Sequence, residues 1–320
     1  MQDVQQGCQI LTPDAKGIAQ AVALLKAGQL VAIPTETVYG LAADARNDVA
    51  VRAIFAAKGR PSHNPLIVHV PSLTLAQELA DLPDTALRLA DRFWPGPLTL
   101  VVPLRPGHGL APEVTAGLKT VALRLPSHPA ARALLEKFQG PIAAPSANPS
   151  GRISPTNTAH VVTGLGGRIA AVLDGGPCSV GIESTILGFA DEHPVLLRAG
   201  GIRSEALEEA LGTKPALSAT DTITAPGQMR SHYAPRARVR LNASKPRSEE
   251  VWIGFGPECA GADFSLSPTG DLDEAAMQLF AVLHDADQTG RDISVAPVPD
   301  YGLGVAINDR LRRAAAPRDH

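Results

Sequence analysis

Apolar residues recur along this chain in two alternating patterns, one at helical spacing and one in short continuous runs. The helical spacing predicts helices over residues 14–27, 48–57, 74–82, 84–94 and 203–211. The continuous runs predict buried strands at residues 30–34, 65–70, 98–104, 120–126, 142–147 and 170–176. The stretch TETVYGLAADA at residues 35–45 fits neither pattern and is predicted to be a loop. Helices interleaved with β-branched runs indicate an α/β layered domain with a mixed sheet.

The pattern changes after residue 211. Residues 212–236 are rich in Pro, Gly and small polar residues and lack apolar periodicity, so they are predicted to form an interdomain linker. Further strand and helix patterns follow at residues 237–242, 250–256, 272–286, 292–298 and 304–315. We therefore expect a large domain at 1–211, a linker at 212–237 and a small α/β domain at 238–320.

The composition indicates a folded protein and argues against two classes of nucleic-acid binder. Of the 320 residues, 44% are hydrophobic and 19% are charged, which suits a globular protein with a proper core. Aromatic residues make up only 4%, which gives little support to a base-stacking surface. The net charge of −3 argues against a protein that wraps duplex nucleic acid, although a local basic cleft is compatible with it.

Cysteine usage and the length of the apolar runs bear on the compartment. Cys8, Cys178 and Cys259 are far apart and odd in number, so we expect free thiols in a reducing compartment. No apolar run approaches membrane-spanning length, and the first residues lack a signal-like apolar core. We therefore expect a soluble, cytoplasmic protein that does not contact a membrane.

Several common catalytic motifs are missing from the sequence. It contains no G-x-x-x-x-G-K-[ST] loop, no H-E-x-x-H or paired C-x-x-C pattern, and no G-x-S-x-G elbow. These absences argue against a P-loop nucleotide site, a zinc site and a serine hydrolase. A nucleotide site in this chain would need a less common phosphate cradle.

Four polar clusters follow the predicted strands, where α/β sheets usually place ligand sites. They are PTETVYG at 34–40, KGRPSHNPLIVHV at 58–70, PSANPSGRISPT at 145–156, and GIESTI with LLRAGG at 181–186 and 196–201. Any one of them alone would most simply be a turn held by its own hydrogen bonds, and Glu36 and Glu183 could serve only to orient backbone. Four such clusters in one chain instead predict a shared site.

Cations in these segments indicate the chemistry of the ligand. Lys58 and Arg60 flank Gly59, where the backbone can approach a ligand closely. An arginine fork beside a lysine point charge suits a polyanion better than a single carboxylate. Arg124 lies inside the apolar run VALRLP, and burying it is costly unless an anion meets it, so it predicts either a core ion pair or a ligand contact. His69 projects from a strand beside the cationic turn.

In combination these segments resemble the YrdC-like catalytic domain of the L-threonylcarbamoyl-AMP synthase family. The resemblance rests on PTETVYGLAADA, KGRPSHNPLIVHV, the Lys-x-Arg followed by Ser146-x-Asn148, GIESTI and LLRAGGI. PGQMRSHYAP at 226–235 and PVPDYGLGVAINDRLRRAA at 297–315 are similar to the linker and C-terminal domain of the family's two-domain form. The resemblance implies a twisted mixed sheet with a basic concave cleft, a linker that closes over the active site, and a small Rossmann-like α/β domain.

The resemblance also implies an activity. Members of the family use ATP, L-threonine and bicarbonate, release pyrophosphate, and supply threonylcarbamoyl for modification of the tRNA adenosine beside the anticodon. We expect Mg²⁺ to accompany ATP without a dedicated protein-only metal site. We also expect a transient contact with tRNA or with the tRNA-modifying transferase.

Residue roles follow from the same resemblance. Catalytic roles are implied for Lys58 and Arg60. ATP binding is implied for Lys58, Arg60, Asn64, Thr120, Asn148, Ser154 or Thr156, and Arg198, with His232 or Tyr233 of the linker closing over the nucleotide. Threonine binding is implied for Thr37, His69, Arg124, Ser146 and Ser184, with Arg124 pairing the amino-acid carboxylate.

Two other functions are compatible with the same domain. One is a non-catalytic RNA-binding module, and the other is a carbamoyl transferase of the hydrogenase-maturation type. A pure RNA binder has no use for Arg124, Ser146 and Ser184 around a small cavity. The transferase class carries additional acyl-phosphatase and zinc-finger-like segments that this sequence lacks. Synthesis of threonylcarbamoyl-AMP is therefore the favoured hypothesis.

Overall fold

Two β-sheets organise the chain, and the computed structural model describes them through residues 7–61, 64–190, 193–217 and 232–317. The strands of the larger sheet are β1 (Gln9–Leu11), β2 (Val31–Ile33), β3 (Gly40–Asp44), β4 (Ile67–His69), β5 (Leu98–Pro103), β6 (Thr120–Arg124), β7 (Ile142–Ala143), β8 (Ala171–Leu173), β9 (Thr185–Ala190), β10 (His193–Arg198) and β11 (Ala216–Leu217). Their spatial order is β1-β8-β2-β3-β7-β4-β6-β5-β9-β10-β11, with parallel and antiparallel pairs intermixed. The predicted mixed α/β fold is confirmed.

Helices cover this sheet, and their ends carry the expected capping residues. The helices are α1 (Ala15–Lys26), α2 (Asp48–Lys58), α3 (Leu73–Leu79), α4 (Asp84–Phe93), α5 (Pro112–Thr115), α6 (Pro129–Phe138), α7 (Thr158–Leu165) and α8 (Ser204–Leu211). Helix α2 begins after Asn47, whose side chain accepts from the amides of Val49 and Ala50. It ends at Gly59, which adopts the left-handed conformation (φ 61°) that glycine tolerates best. This ending fixes where the chain leaves the helix between Lys58 and Arg60.

The predicted loop at residues 35–45 is wrong in its second half. Residues 40–44 form β3, which pairs antiparallel with β2 on one side and β7 on the other. Its sequence, GLAAD, has low strand propensity, but Leu41, Ala42 and Ala43 are fully buried. Small residues are favoured here because both faces of the strand are covered, so packing overrides propensity.

Other elements also depart from the sequence prediction. The run at 142–147 forms a strand only at Ile142–Ala143, after which Ser146 makes an isolated bridge to Gly40. Helices α6 and α7 and the β9–β10 hairpin were not predicted. Residues 216–217, which the sequence assigns to the linker, add a short strand parallel to β10.

The second sheet is small and entirely parallel. Its strands are β12 (Val239–Arg240), β13 (Glu250–Gly254), β14 (Phe264–Ser265) and β15 (Asp292–Val295), in the order β12-β15-β13-β14, with helices α9 (Leu272–Gln288) and α10 (Gly304–Ala315) and a 3₁₀ turn at Pro257–Cys259. We call the parts built on the two sheets the large domain and the small domain. The predicted small α/β domain is therefore confirmed as a fold.

The two domains share an apolar core at their contact. Val38, Ile153 and Ile182 of the large domain belong to the same buried cluster as Leu279 and Phe280 of α9. At Gly181 (φ 77°) a Cβ atom would lie 2.4 Å from the Cα of Met277, so only glycine permits this approach of loop and helix. The small domain therefore packs directly against the loop that carries GIESTI.

Candidate active site

A cavity opens where several strands of the large sheet end. His69 at the end of β4 pairs in register with Arg124 at the end of β6, and Thr99 of β5 lies opposite Arg124. The cavity is lined by Thr35, Thr37, Val38, Gly40, Arg60, Ile67, His69, Arg124, Ala144, Pro145, Ser146, Glu183, Ser184, Arg198, His232 and Tyr233. All four polar clusters identified in the sequence, together with the predicted linker, contribute to this wall.

Buried cations lie at one side of the cavity: Arg60 and Arg198 line it, and Lys58 contacts the lining residue Ser146. The Lys58 Nζ donates to the carbonyl oxygens of Ser146 and Asn148, at 2.5 Å each. The Arg60 guanidinium donates to the carbonyl oxygens of Asn64 (3.3 Å) and Pro65 (2.9 Å). Lys58 and Arg60 are 3% and 8% exposed, and neither has an acidic partner among the residues that the structure describes. The positive charge on this side therefore lacks a protein counter-ion.

The pKa values of these groups reflect that imbalance. Burial, reinforced by the charge of Arg60, lowers the pKa of Lys58 well below its ordinary value. Burial likewise lowers the pKa of Arg60 to about 10 and lowers that of Arg198, whose guanidinium donates to the carbonyl oxygen of Ser184 at 2.8 Å. Polyanion binding would offset this cost because each phosphate oxygen supplies the missing negative charge.

Arg124 lies on another side of the cavity and forms a core ion pair. Its Nη2 donates to Glu36 Oε1 at 2.6 Å and its Nη1 donates to Thr37 Oγ1 at 2.8 Å. Glu36 also accepts from the amide of Ser127 through its other oxygen, at 3.1 Å. Burial alone would raise the pKa of Glu36, but the charge and hydrogen bond of Arg124 hold that pKa below its usual value. Arg124 therefore combines the ion pair and the position in the cavity wall that the sequence left as alternatives.

Two small polar side chains complete this side. The Ser184 hydroxyl shares a 2.7 Å hydrogen bond with Thr99 and accepts from Arg198 Nη2 at 3.2 Å. Burial lowers the pKa of His69 to about 3, so its ring is neutral at pH 7. A neutral imidazole and hydroxyl groups around one arginine suit a zwitterionic ligand with a carboxylate and a hydroxyl.

His232 and Tyr233 bring the end of the predicted linker into the cavity wall. Their rings meet edge to face with centroids 4.1 Å apart, and Tyr233 adopts a left-handed conformation (φ 59°). The amide of Ala234 donates to the carbonyl oxygen of Gly151 at 2.8 Å, which fixes this segment to the 145–156 loop. Burial lowers the pKa of His232 well below its ordinary value, and the charges of Arg60 and Lys58 lower it further.

Buried polar atoms without a hydrogen-bond partner concentrate at this cavity. Within the described residues, such atoms are found at or near the cavity on both side-chain amide atoms of Asn64, both ring nitrogens of His69, Asn148 Oδ1, His232 Nδ1, Tyr233 Oη and Arg310 Nη2. Glu113 Oε2, on α5, is a further such atom that belongs to no residue of the cavity wall. Native proteins satisfy the great majority of buried polar groups, so a cluster of exceptions indicates a place for a polar ligand.

The remaining predicted residues lie at different distances from the cavity wall. Ser154 donates to Glu183 Oε1 at 2.6 Å, and Thr156 lies in the same buried loop beside His160. Asn148 donates to the carbonyl oxygen of Arg152 at 2.8 Å. Thr120 is placed apart from the others, because it begins the strand that ends at Arg124 and does not line the cavity.

Glu36 and Glu183 have a role that the sequence did not predict. Orienting backbone, a role that the sequence left open for them, is not their whole role, because their carboxylates also pair with the guanidinium groups of Arg124 and Arg310. Arg310 belongs to the small domain and was not predicted to reach the site. The available signal was a glutamate in each of two polar clusters together with an arginine, Arg310, that shares the helical spacing of the apolar residues Ile307 and Leu311.

Two further features are not found among the described residues. No group of three or more His, Cys, Asp or Glu able to hold a metal ion occurs in the part of the chain that the structure describes. None of the described helices is both long and apolar enough to cross a bilayer.

Family models match nearly the whole chain. The model of the Sua5/YciO/YrdC family, described as "telomere recombination", matches residues 23–200. A second model, described as "threonylcarbamoyl-AMP synthase, C-terminal domain", matches residues 202–316. The chain belongs to the Sua5/YciO/YrdC family. The family resemblance drawn from the sequence motifs is therefore confirmed.

Curated relatives and solved structures agree with this membership. The chain is 44% identical to the threonylcarbamoyl-AMP synthase of Bacillus subtilis over 94% of this chain and 93% of that protein. It is 43% identical to the synthase of Pyrococcus abyssi over 93% and 94% of the two chains. The crystal structure of P. abyssi Sua5 complexed with L-threonine superposes with a TM-score of 0.87 and 39% identity, covering 96% and 97%. The likeness extends through both domains.

Proposed function

We propose that this protein synthesises L-threonylcarbamoyl-AMP from L-threonine, bicarbonate and ATP, with release of pyrophosphate. The observation that carries the proposal is a cavity at which buried cations without an acidic partner, Lys58 and Arg60, and buried polar atoms without a hydrogen-bond partner lie close to Arg124. That arrangement suits a polyanion and an amino acid held next to each other. Full-length similarity to threonylcarbamoyl-AMP synthases supports the same activity.

The residue roles in this proposal are those that the family resemblance implies. Lys58, Arg60 and Arg198 hold the phosphates of ATP, with the nucleotide completed by Asn64, Thr120, Asn148, Ser154 or Thr156, and by His232 or Tyr233. Threonine lies against Thr37, His69, Arg124, Ser146 and Ser184, and its carboxylate faces Arg124. The partnerless ring nitrogens of His69 support the second set, since they are buried beside Arg124.

The chemistry needs positioning and charge neutralisation rather than a protein nucleophile. The amine of threonine and bicarbonate combine to a carbamate with loss of water. A carbamate oxygen then attacks the α-phosphorus of ATP, and the bond to the leaving pyrophosphate breaks. Lys58 and Arg60 neutralise the charge that develops on the phosphates, and the buried cavity keeps water away from the carbamate and the mixed anhydride.

Magnesium enters this proposal only as a companion of ATP. The two carboxylates beside the cavity, Glu36 and Glu183, are each engaged by an arginine, so they do not offer a protein-held magnesium site. The ion, when bound with ATP, would add charge neutralisation at the phosphates.

The product and the domain division belong to the same proposal. The mixed anhydride is labile, so we propose that it passes to a tRNA-modifying transferase through a transient contact and ends on the tRNA adenosine beside the anticodon. The cytoplasm, where ATP and tRNA meet, is the compartment we propose. We also propose the division into a catalytic domain at 1–211, a closing linker at 212–237 and a small domain at 238–320, which the two separate sheets support.

The test is pyrophosphate release from ATP by the purified full chain. Release should require both threonine and bicarbonate, and omission of either should abolish it. Lys58→Ala should lower turnover by roughly two to three orders of magnitude, because a buried charge at the transferring phosphate is lost. Lys26→Ala, at the exposed last turn of α1, is the matched control and should leave turnover unchanged. Release that ignores omission of threonine or bicarbonate would refute the synthase activity.

A further inference from the structure

Arg310 of the small domain reaches into the large domain beside the cavity. It lies on α10, is fully buried, and its Nε donates to Glu183 Oε2 at 2.9 Å. Its Nη1 donates to the carbonyl oxygen of Ala199 at 2.7 Å and to Asp309 at 2.9 Å. One side chain of the small domain therefore binds the loops that carry Ser184 and Arg198.

Glu183 connects Arg310 to Ser154, a residue that is predicted to bind the nucleotide. Its other oxygen, Oε1, accepts from the Ser154 hydroxyl at 2.6 Å. Ser154 is fully buried, and Glu183 itself lines the cavity. A continuous chain of hydrogen bonds thus runs from Arg310 through Glu183 to Ser154.

The same helix also holds the linker segment. The guanidinium carbon of Arg310 lies 5.3 Å from the ring centroid of Tyr233, within the range of a cation–π contact. The amide of His232 donates to the carbonyl oxygen of Arg313 at 3.3 Å. Helix α10 therefore contacts the nucleotide side of the site at both the 183–184 loop and the 232–233 segment.

Stability alone is a weak explanation for such a residue. A buried arginine–glutamate pair loses hydration about as much as it gains attraction, so an apolar pair of similar size would hold the domains equally well. A directional, fully buried pair does fix the angle of the side chains that it binds.

We propose that Arg310 is a positioning residue for the nucleotide. Through Glu183 it sets the orientation of the Ser154 hydroxyl, and through its contact with Tyr233 it sets the linker segment against the same ligand. The small domain thereby acts in catalysis without touching the reacting atoms. This inference rests on the proposed function, because it assigns the nucleotide side of that site.

The test compares Arg310→Gln with Arg312→Gln, its matched control on the same helix. Arg312 is exposed, so its variant should behave as the unmodified chain does. Arg310→Gln should raise KM for ATP by roughly 10- to 100-fold and should change KM for threonine much less, since Ser154 and Tyr233 lie on the nucleotide side. An unchanged KM for ATP in Arg310→Gln would overturn the proposal.

A second set of variants distinguishes a positioning role of Arg310 from a role in supporting the fold alone. Ser154→Ala and Arg310→Gln act through one chain of contacts, so the double variant should be no worse for ATP than the more severe single variant. Strictly additive effects would contradict the proposal. If Arg310→Gln does not fold, Glu183→Gln with Arg310→Gln removes both charges together and should fold while still showing the raised KM for ATP. A folded double variant with an unchanged KM for ATP would also overturn it.

The same experiments test the synthase activity and the positioning role of Arg310 independently of each other. If the unmodified chain releases no pyrophosphate that depends on threonine and bicarbonate, the synthase activity fails, whatever the variants do. If that activity is present and Arg310→Gln retains it with the same KM for ATP, only the positioning role fails.

Discussion

Two buried arginine–glutamate pairs in the described part of the chain look alike and lie in different surroundings. In the Arg124–Glu36 pair the side chains are 4% and 7% exposed, and in the Arg310–Glu183 pair they are 0% and 7% exposed. Arg124 lines the cavity, whereas Arg310 does not. A ligand in the cavity can therefore reach the Arg124–Glu36 pair through Arg124, whereas Arg310 is surrounded by protein. We infer that the first pair exchanges partners during binding and that the second keeps them.

The surroundings of Glu36 allow such an exchange. When a threonine carboxylate takes over Arg124, Glu36 still accepts from the amide of Ser127. Glu183 has a comparable second partner in Ser154, but Arg310 is fully buried and does not line the cavity. The two pairs can therefore be distinguished by what each variant does with and without ligand.

The largest effect is expected from Arg124→Met. Loss of the arginine leaves the threonine carboxylate without its charged partner, so kcat/KM for threonine should fall by about 10³, equivalent to about 4 kcal/mol. Steady-state kinetics at saturating ATP measures it. Arg88→Met, at an exposed position on α4, is the control and should match the unmodified chain. Retention of threonine-dependent activity by a folded Arg124→Met chain would contradict the ligand role.

The next effect distinguishes the two arginine–glutamate pairs by how threonine changes the stability of a variant of each pair. Glu36→Gln leaves the buried Arg124 without its acid, so it should lower the free energy of unfolding by about 3–5 kcal/mol. Glu183→Gln leaves Arg310 with Asp309 as its remaining acid, so its cost in stability should be smaller. Saturating L-threonine should restore stability in Glu36→Gln by more than it adds to the unmodified chain, because its carboxylate replaces the lost one. Thermal unfolding with and without threonine measures this difference.

No extra threonine-induced gain is expected for Glu183→Gln. Equal threonine-induced shifts in the two variants would show that the pairs do not differ as we infer.

Acid should weaken the molecule through the histidines near the two pairs. His69 has a pKa of about 3 in the folded chain, and it regains an ordinary pKa near 6.5 on unfolding, so the unfolded state binds the extra proton. Stability is therefore lost as pH falls below about 6.5, by about 1.4 kcal/mol at pH 5.5 for one such histidine. His69→Gln should reduce the difference in unfolding free energy between pH 7.5 and 5.5 by roughly that amount, measured by urea titration.

His232, near the second pair, has its pKa lowered in the same direction, so His232→Gln should reduce the acid sensitivity similarly. An unchanged pH dependence in both variants would show that these rings are not buried as neutral groups.

The smallest effect is expected at an exposed ion pair between the same two domains. Arg203 and Asp273 contact each other across the interface, and each side chain is 56% exposed. Arg203→Ala should lower the free energy of unfolding by less than about 1 kcal/mol, because solvent screens such pairs. KM for ATP should stay unchanged. A larger effect on ATP than that of Arg310→Gln would reverse the distinction between the buried and the exposed contact.

Sequence patterns were most informative where one residue carries its own signal. The helical spacing of apolar residues at 48–57 predicted α2 to within one residue of its observed end, and the apolar run around Arg124 indicated a buried cation. The strand at residues 40–44 escaped prediction because its small residues are selected by burial on both faces rather than by propensity.

The sequence predicted which residues belong to the candidate site more fully than it predicted which atoms those residues contact. Motif resemblance indicated Lys58, Arg60 and Arg198, but it could not show that Lys58 and Arg60 bind backbone carbonyl oxygens. The pairing of Glu183 with Arg310 joins residues that are 127 apart in the chain, and no local pattern records such a contact.

The close approach at Gly181 has a consequence for how the two domains are inherited. A side chain there would collide with the backbone of α9, so the loop and the helix have complementary surfaces rather than interchangeable ones. A chimera that takes its small domain from a relative must therefore take the matching loop as well. In such a chimera the loop around Gly181 and helix α9 form one unit of exchange, although they belong to domains built on separate sheets.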